Sequence, residues 1–285
     1  MFPYVEHYDG YAVRQFMIDN VDIVGYLSFF YLAFVWKAPA LVRRLNGDSM
    51  RISSSPVLTA VFIVWNFILS TFSFLGMIVV VPALVKNVYH VGLIRAVCEK
   101  NDKMIYNASV GFWIGMFVLS KVPELVDTVL LVLQGKQPRF LHWYHHVTVL
   151  LFSWHTYYDG TSTMIVFAAM NLTVHFIMYF YFAMCACGFK KSMRKFAPLI
   201  TALQLLQMVV GTIVTGYSAY NAYLLPDDNN DKTMVKCDVS KSSARMGFLI
   251  YLSYLYLFSV MFVNSYLKPK KQTGAFVDNE HAKTM

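Results

Sequence analysis

The chain has 285 residues, 57% of them hydrophobic and 14% charged, with a formal net charge of +8. An ordinary soluble domain is nearer half apolar and a quarter charged, so this much apolar surface cannot be hidden in one water-soluble core. A polytopic membrane protein is the class left, and the basic balance then belongs to membrane rims, not to a nucleic-acid footprint.

Spans of roughly 20 apolar residues are the unit to look for. Seven are predicted: 21–41, 57–84, 109–133, 140–157, 163–188, 197–223 and 246–267. Ahead of them, "MFPYVEHYDGYAVRQ" lacks an apolar run. No cleavable signal peptide is expected, and the first span reads as an uncleaved anchor. Residues 1–20 are a polar N-terminus, 21–267 one membrane domain and 268–285 a polar tail.

Between the second and third spans lie Cys98 and the sequon Asn107-Ala-Ser, a glycosylation candidate. The third span, "FVLSKVPELVDTVLLVL", carries Lys121, Glu124 and Asp127 at three-residue spacing, with Thr128 beside them and Pro123 between. Steps of three and four share a helix face, so Lys121 can pair with Glu124 or with Asp127. Pro123 removes one backbone donor and can open the helix.

The fourth span opens "FLHWYHHVTVLL". His142, His145 and His146 stand at i, i+3 and i+4, within about 100° of one helix face, and can converge. His155 points elsewhere. The fifth span adds Asn171, His175 and Tyr179 at four-residue spacing, and the sixth adds Gln204 and Gln207. Each alone is ordinary helix–helix glue. Together with the histidines they describe a shared polar chamber. By span boundaries alone His175 lies about 20 Å below the cytosolic end of its helix and His145 only about 8 Å, so one of the two helices must extend beyond the bilayer.

Lys and Arg counts orient the bundle. The loops after spans one, three and five, with the tail, hold thirteen: Arg43, Arg44, Arg51, Lys136, Arg139, Lys190, Lys191, Arg194, Lys195, Lys268, Lys270, Lys271 and Lys283. The other side holds nine over longer loops: Arg14, Lys86, Arg95, Lys100, Lys103, Lys232, Lys236, Lys241 and Arg245. The N-terminus is therefore expected in the lumen or outside and the C-terminus in the cytosol. The run "GFKKSMRKF" can then meet a phosphorylated cytosolic substrate. Of four cysteines, Cys98 and Cys237 fall on the oxidising side, where a bridge between them is open, while Cys185 and Cys187 stay reduced.

HxxHH suggests a di-iron histidine box first, but of eight histidines His7, His90 and His281 lie outside the spans and His155 points away. The four left are too few for two irons. A mononuclear zinc on His142, His146 and His175 is possible by ligand count. The covalent alternative uses one imidazole as nucleophile toward a thioester and a second to move protons. An acyl-imidazole hydrolyses in water, so this chemistry needs a dry cavity. A metal-dependent membrane oxygenase and a seven-helix receptor or transporter are the rival readings.

"SKVPELVDT", "FLHWYHH", "MNLTVHFIMYFYF" and "ITALQLLQ", in this order between about residues 66 and 266, resemble the fatty-acid elongase family, the ELO-type 3-ketoacyl-CoA synthases. The motifs look closest to the subgroup acting on saturated and monounsaturated palmitoyl-class chains. The resemblance implies an all-α protein of seven transmembrane helices, six forming a barrel around a narrow acyl tunnel. It implies condensation of long-chain acyl-CoA with malonyl-CoA, no cofactor or metal, and endoplasmic-reticulum residence beside a ketoacyl reductase, a dehydratase and an enoyl reductase. A homo-oligomer is compatible with it. His145 matches the position taken to carry the acyl group, His175 its partner, and His142 and His146 the rest of the box. Lys121, Glu124, Asp127, Asn171, Tyr179 and Gln204 match the polar shell, and Cys98 and Cys237 match a family disulfide. Family members often end in a dilysine signal; this chain ends "HAKTM" instead.

Overall fold

The computed structural model describes residues 8–46, 55–224 and 236–268. The expected tail from 269 onward lies outside these residues, as do Arg51, Lys232, Lys270, Lys271, His7 and His281. Among the described residues all regular structure is helical, and the one β-type pairing is a single bridge between Asp9 and Asn107.

The polar N-terminus holds an element the apolar-run search passed over: α1, Gly10–Asp19, whose first turn is capped by Asp9 accepting from the Tyr11 amide at 2.9 Å. Next come α2, Val21–Asn46, and α3, Pro56–Val91. At 36 residues α3 spans about 54 Å, so it overruns an apolar core of roughly 30 Å. It stops only at Gly92, whose φ of +85° a side chain would resist. Two short helices follow, α4 (Leu93–Cys98) and α5 (Asp102–Tyr106).

The third expected span is broken. It comprises α6, Ala108–Ser120, a 3₁₀ turn at Pro123–Leu125, and α7, Val126–Leu133. Pro123 has no amide to offer, and the local bonds shorten to i→i−3, as from Lys121 N to Val118 O and from Leu125 N to Val122 O. Beyond it, α8 (Phe140–Asp159) ends at left-handed Gly160, and α9 spans Met164–Met184. A π-turn, Cys185–Phe189, with Gly188 at φ +99°, turns the chain into α10 (Lys190–Met193), a 3₁₀ turn (Arg194–Phe196) and α11 (Ala197–Leu224). The last helix, α12, is Lys241–Phe262, capped by Ser240.

Four described stretches are long and apolar enough to cross a membrane: Val21–Leu45, Pro56–Val91, Met164–Leu224 and Lys241–Leu267. The protein is a multi-pass membrane protein. The count differs from the seven expected for physical reasons. Pro123 cuts the third span into pieces too short to qualify, the histidines lower the apolarity of α8, and Met164–Leu224 is one 61-residue stretch that Gly188 divides.

The main packing seam joins α3 to α9. The α3 face buries Asn66, Leu69, Ser70, Ser73, Gly76 and Val80, and the small Ser70, Ser73 and Gly76 let the backbones approach. A Cβ on Gly76 would sit 3.0 Å from a Leu172 methyl. Trp113, Ile114, Phe117, Leu150, Trp154 and Leu172 form the centre of the core around this seam.

One end of the bundle is closed by several chain segments tied together. Cys98 and Cys237 are disulfide-bonded, and the Asp238 amide donates to Cys98 O at 2.7 Å. Asp159 accepts from Ser240 at 2.8 Å and from Ser243 at 2.6 Å, which staples the end of α8 to the start of α12. His155, the histidine expected to face away, lies in this staple, 2.9 Å from Ser243 and 2.5 Å from the Tyr158 hydroxyl. Helix α1 lies over the same end, where Met17 O accepts from the Trp154 indole at 3.0 Å and Arg14 donates to Tyr158 O at 2.7 Å.

Candidate active site

The broken third span sets up the first half of the site. In a 3₁₀ turn residues i and i+3 eclipse, so Lys121 and Glu124 meet directly. Lys121 Nζ lies 2.7 Å from Glu124 Oε1, with both side chains buried. Ser120 Oγ supports the same carboxylate oxygen at 2.8 Å. Of the two pairings open in the sequence, Glu124 is the partner. Asp127 turns away and accepts from the Trp65 indole and from the Tyr179 hydroxyl, each at 2.6 Å.

Helix α9 supplies the second half. Asn171 and His175, four residues apart, are joined by a 3.1 Å contact between Asn171 Nδ2 and His175 Nε2. Lys121 also donates to Asn171 Oδ1 at 3.1 Å. An ammonium can only donate, so Asn171 presents its oxygen to Lys121 and its NH₂ to the histidine. In the neutral ring Nε2 therefore accepts, and the ring proton sits on Nδ1. That nitrogen faces Glu124 Oε2 at 4.0 Å, an oxygen with no hydrogen-bond partner of its own. Lys121, Asn171, His175 and Glu124 thus form a four-membered polar circuit with one long side. Such a contact can tighten when substrate binds.

Helix α8 brings the other histidines. The rings of His142 and His146 lie 4.6 Å apart, and His145, 5.7 Å from His146, turns toward the Tyr254 ring of α12 at 5.1 Å. The three thus split into a pair and a single. Even so, His145 is within electrostatic reach of His175, Lys121, Glu124 and His142, and His146 of His142, His145 and His175. His145 lies five residues from the start of α8, whereas α9 and its π-turn run on from His175 to Phe189.

The remaining candidates fall in separate places. Gln204 donates to Met178 Sδ at 3.2 Å, joining α11 to α9 outside the circuit. Lys190, Lys191, Arg194 and Lys195 are exposed on the segment after Gly188, with Lys195 stacked on Phe196 at 5.1 Å. Asn107 joins α5 to α6, and its Oδ1 is buried without a partner. Among the described residues, no three His, Cys, Asp or Glu side chains come together in an arrangement that could hold a metal ion.

Several contributors escaped the sequence. Trp65 sits in an apolar run, where nothing marks its indole N–H as needing a carboxylate. Ser120, Tyr31 and Tyr254 are likewise unremarkable until helices are packed. A buried Tyr or Trp that must find a partner is the only signal available beforehand.

Comparison with known proteins gives the family. A family model described as ELO, the GNS1/SUR4 family, matches residues 16–274. Among relatives, "Fatty acid elongase 2" of Trypanosoma cruzi (strain CL Brener) is 67% identical over 95% of this chain and 96% of its own length. "Fatty acid elongase 2" of Trypanosoma brucei brucei (strain 927/4 GUTat10.1) is 59% identical over 96% and 98%. "Fatty acid elongase 1" of T. cruzi is 48% identical over 94% of each chain. With a model covering nearly its whole length and relatives this similar, the chain belongs to the ELO (GNS1/SUR4) family.

Proposed function

We propose that this protein is the condensing enzyme of fatty-acid elongation, joining a long-chain acyl-CoA to malonyl-CoA to give 3-ketoacyl-CoA, CO₂ and CoA. The observation that carries this reading is the buried Lys121–Asn171–His175–Glu124 circuit, with the clustered histidines of α8 within electrostatic reach of it. The relatives' names give the acyl-chain context.

In the scheme, His145 attacks the acyl-CoA thioester. The N–acyl bond forms, the C–S bond breaks, and the imidazole's proton leaves with the CoA thiolate. Malonyl-CoA then loses CO₂, and its enolate carbon attacks the acyl-imidazole. The departing imidazolate takes one proton from solvent, through His175 and Glu124. Net, one proton is consumed and the acyl chain grows by two carbons. Dry surroundings protect the intermediate from hydrolysis.

The same reading assigns seven helices within 21–267, six of them around an acyl tunnel, with residues 1–20 lumenal and 268–285 cytosolic. Endoplasmic-reticulum residence, the three other enzymes of the cycle as partners, and CoA phosphates on Lys190, Lys191, Arg194 and Lys195 belong to it as well. The preference for saturated and monounsaturated palmitoyl-class chains is part of the proposal. The test is turnover of purified protein with a panel of acyl-CoAs and labelled malonyl-CoA. A labelled 3-ketoacyl product lost in His145→Ala supports it. Iron- and oxygen-dependent oxidation of the acyl chain, or no malonyl-CoA turnover, overturns it.

A further inference from the structure

Helix α2 contributes a side chain to the histidine cluster that the condensation scheme does not use. Tyr31 is buried, and its hydroxyl lies 2.8 Å from Thr128 Oγ1 on α7. Thr128 is completely enclosed, and the same oxygen lies 2.9 Å from His142 Nε2 on α8. Three helices are thereby joined by a three-group hydrogen-bond chain that ends on a histidine of the box. The Tyr31 ring also packs near His146, centroids 6.3 Å apart.

Thr128 is unusual among the helical threonines. Thr148, Thr156, Thr173, Thr201, Thr212 and Thr215 each return the hydroxyl proton to a carbonyl of their own helix. Among the described residues Thr128 bonds only Tyr31 and His142. Its proton is therefore free to take either direction, and hydrogen-bond accounting decides which. If His142 Nε2–H donated to Thr128 and Thr128 donated to Tyr31, the phenolic proton would be buried with no acceptor, because Tyr31 Oη has no other partner. If Tyr31 donates to Thr128 and Thr128 donates to His142 Nε2, every group in the chain is satisfied.

We propose that Tyr31, acting through Thr128, is a positioning residue that holds neutral His142 with its proton on Nδ1 and its ring fixed against His146. His146 Nδ1 is buried without a hydrogen-bond partner, so the box contains an unused ring nitrogen beside the ring that Tyr31 orients. Protonation of His142 at Nε2 would force the two hydroxyls to reverse and strand the phenolic proton, so the chain opposes it. Tyr31 thus couples the first long helix to the proton state of the site.

The catalytic consequence rests on the condensing-enzyme reading, whereas the tautomer does not, and the experiment separates them. The full-length protein is labelled at the histidine nitrogens, the His142 signals are assigned by their loss in His142→Asn, and the tautomer is read by NMR. The wild-type chain is expected to show Nδ1–H at His142. Tyr31→Phe and Thr128→Val are each expected to abolish that fixed tautomer and lower kcat about tenfold or more with little change in KM, as when a catalytic imidazole loses its orienting partner. Thr128→Ser keeps the hydroxyl and restores both. The double variant loses no more than Thr128→Val alone. Nε2–H at His142 in the wild type overturns the proposal, as does an unaltered tautomer in Tyr31→Phe. Equal losses in Thr128→Ser and Thr128→Val, with lowered unfolding temperatures, overturn it in favour of packing alone. Tautomer changes of the expected kind in a protein with no malonyl-CoA turnover leave the chain of hydrogen bonds intact and sink the condensing-enzyme reading instead.

Discussion

At the scale of single residues the protein's most consequential decision is to bury a lysine. Lys121 Nζ is held by Glu124 and Asn171 and lies 4.5 Å from the centre of the Phe117 ring. Removing one member of a buried ion pair costs about 3–5 kcal/mol, because the partner charge is left uncompensated. Lys121→Met should therefore lower the unfolding temperature in detergent markedly, and adding Glu124→Gln should recover much of the loss. A fully additive double variant would show that the two charges are not coupled. Tyr106, in α5 outside the spans, gives a second residue-scale test. Its hydroxyl donates to Tyr157 O at 2.7 Å, and burial pushes its phenol up from 10.0 to about 12. Because the folded state prefers the neutral form, this stabilisation is complete below about pH 10 and disappears as pH rises through about 12. The alkaline fall in unfolding temperature should be shallower in Tyr106→Phe than in wild type, and identical slopes would refute the assignment. The three-residue spacing of Lys121 and Glu124 was legible in the sequence. The choice of Glu124 over Asp127 was not, because it depends on the eclipsing made by Pro123 and on acceptor demand from Trp65 and Tyr179, residues distant along the chain.

At the scale of elements the breaks carry more information than the helices. The 3₁₀ turn at Pro123 and the π-turn that holds Gly188 both fall beside charged groups, whereas α3 runs on through Pro82 without a break. Apolar runs located the long helices within a few residues, but hydropathy cannot foresee that a proline will divide one span or that α3 will continue to Val91. Helix α1 was missed for the opposite reason: a short, half-polar helix is defined by its Asp9 cap and by the surface it covers, not by hydrophobicity. Close approach of two elements is testable at Gly111, where α6 crosses the end of α5. A Cβ there would strike the Tyr106 backbone, which cannot swing aside as a side chain can. Gly111→Ala is expected to destabilise the fold by about 1–3 kcal/mol through overpacking, visible as a lower unfolding temperature. An unchanged value would mean that α5 is free to move.

At the scale of the whole molecule a tied end and a reactive interior are separate assemblies. The tied end joins α1, α4, α8 and α12 through the disulfide, the Asp159 staple and the indole of Trp154. Cys98 and Cys237 are 139 residues apart in sequence, and a cross-link closing a loop of that order limits the unfolded chain by about 4–5 kcal/mol in the entropy view. Cys98→Ser with Cys237→Ser should thus unfold at a clearly lower temperature while keeping measurable turnover; loss of turnover with unaltered stability would place the bridge in the chemistry. The proposed chemistry in the interior depends on histidines from α8 and α9 acting on an acyl thioester without an ion between them. The most direct measurement is mass spectrometry of purified protein given a long-chain acyl-CoA and no malonyl-CoA. The account predicts one acyl group on His145, released as 3-ketoacyl-CoA when malonyl-CoA is added. Full turnover with no acyl adduct on any histidine would contradict it.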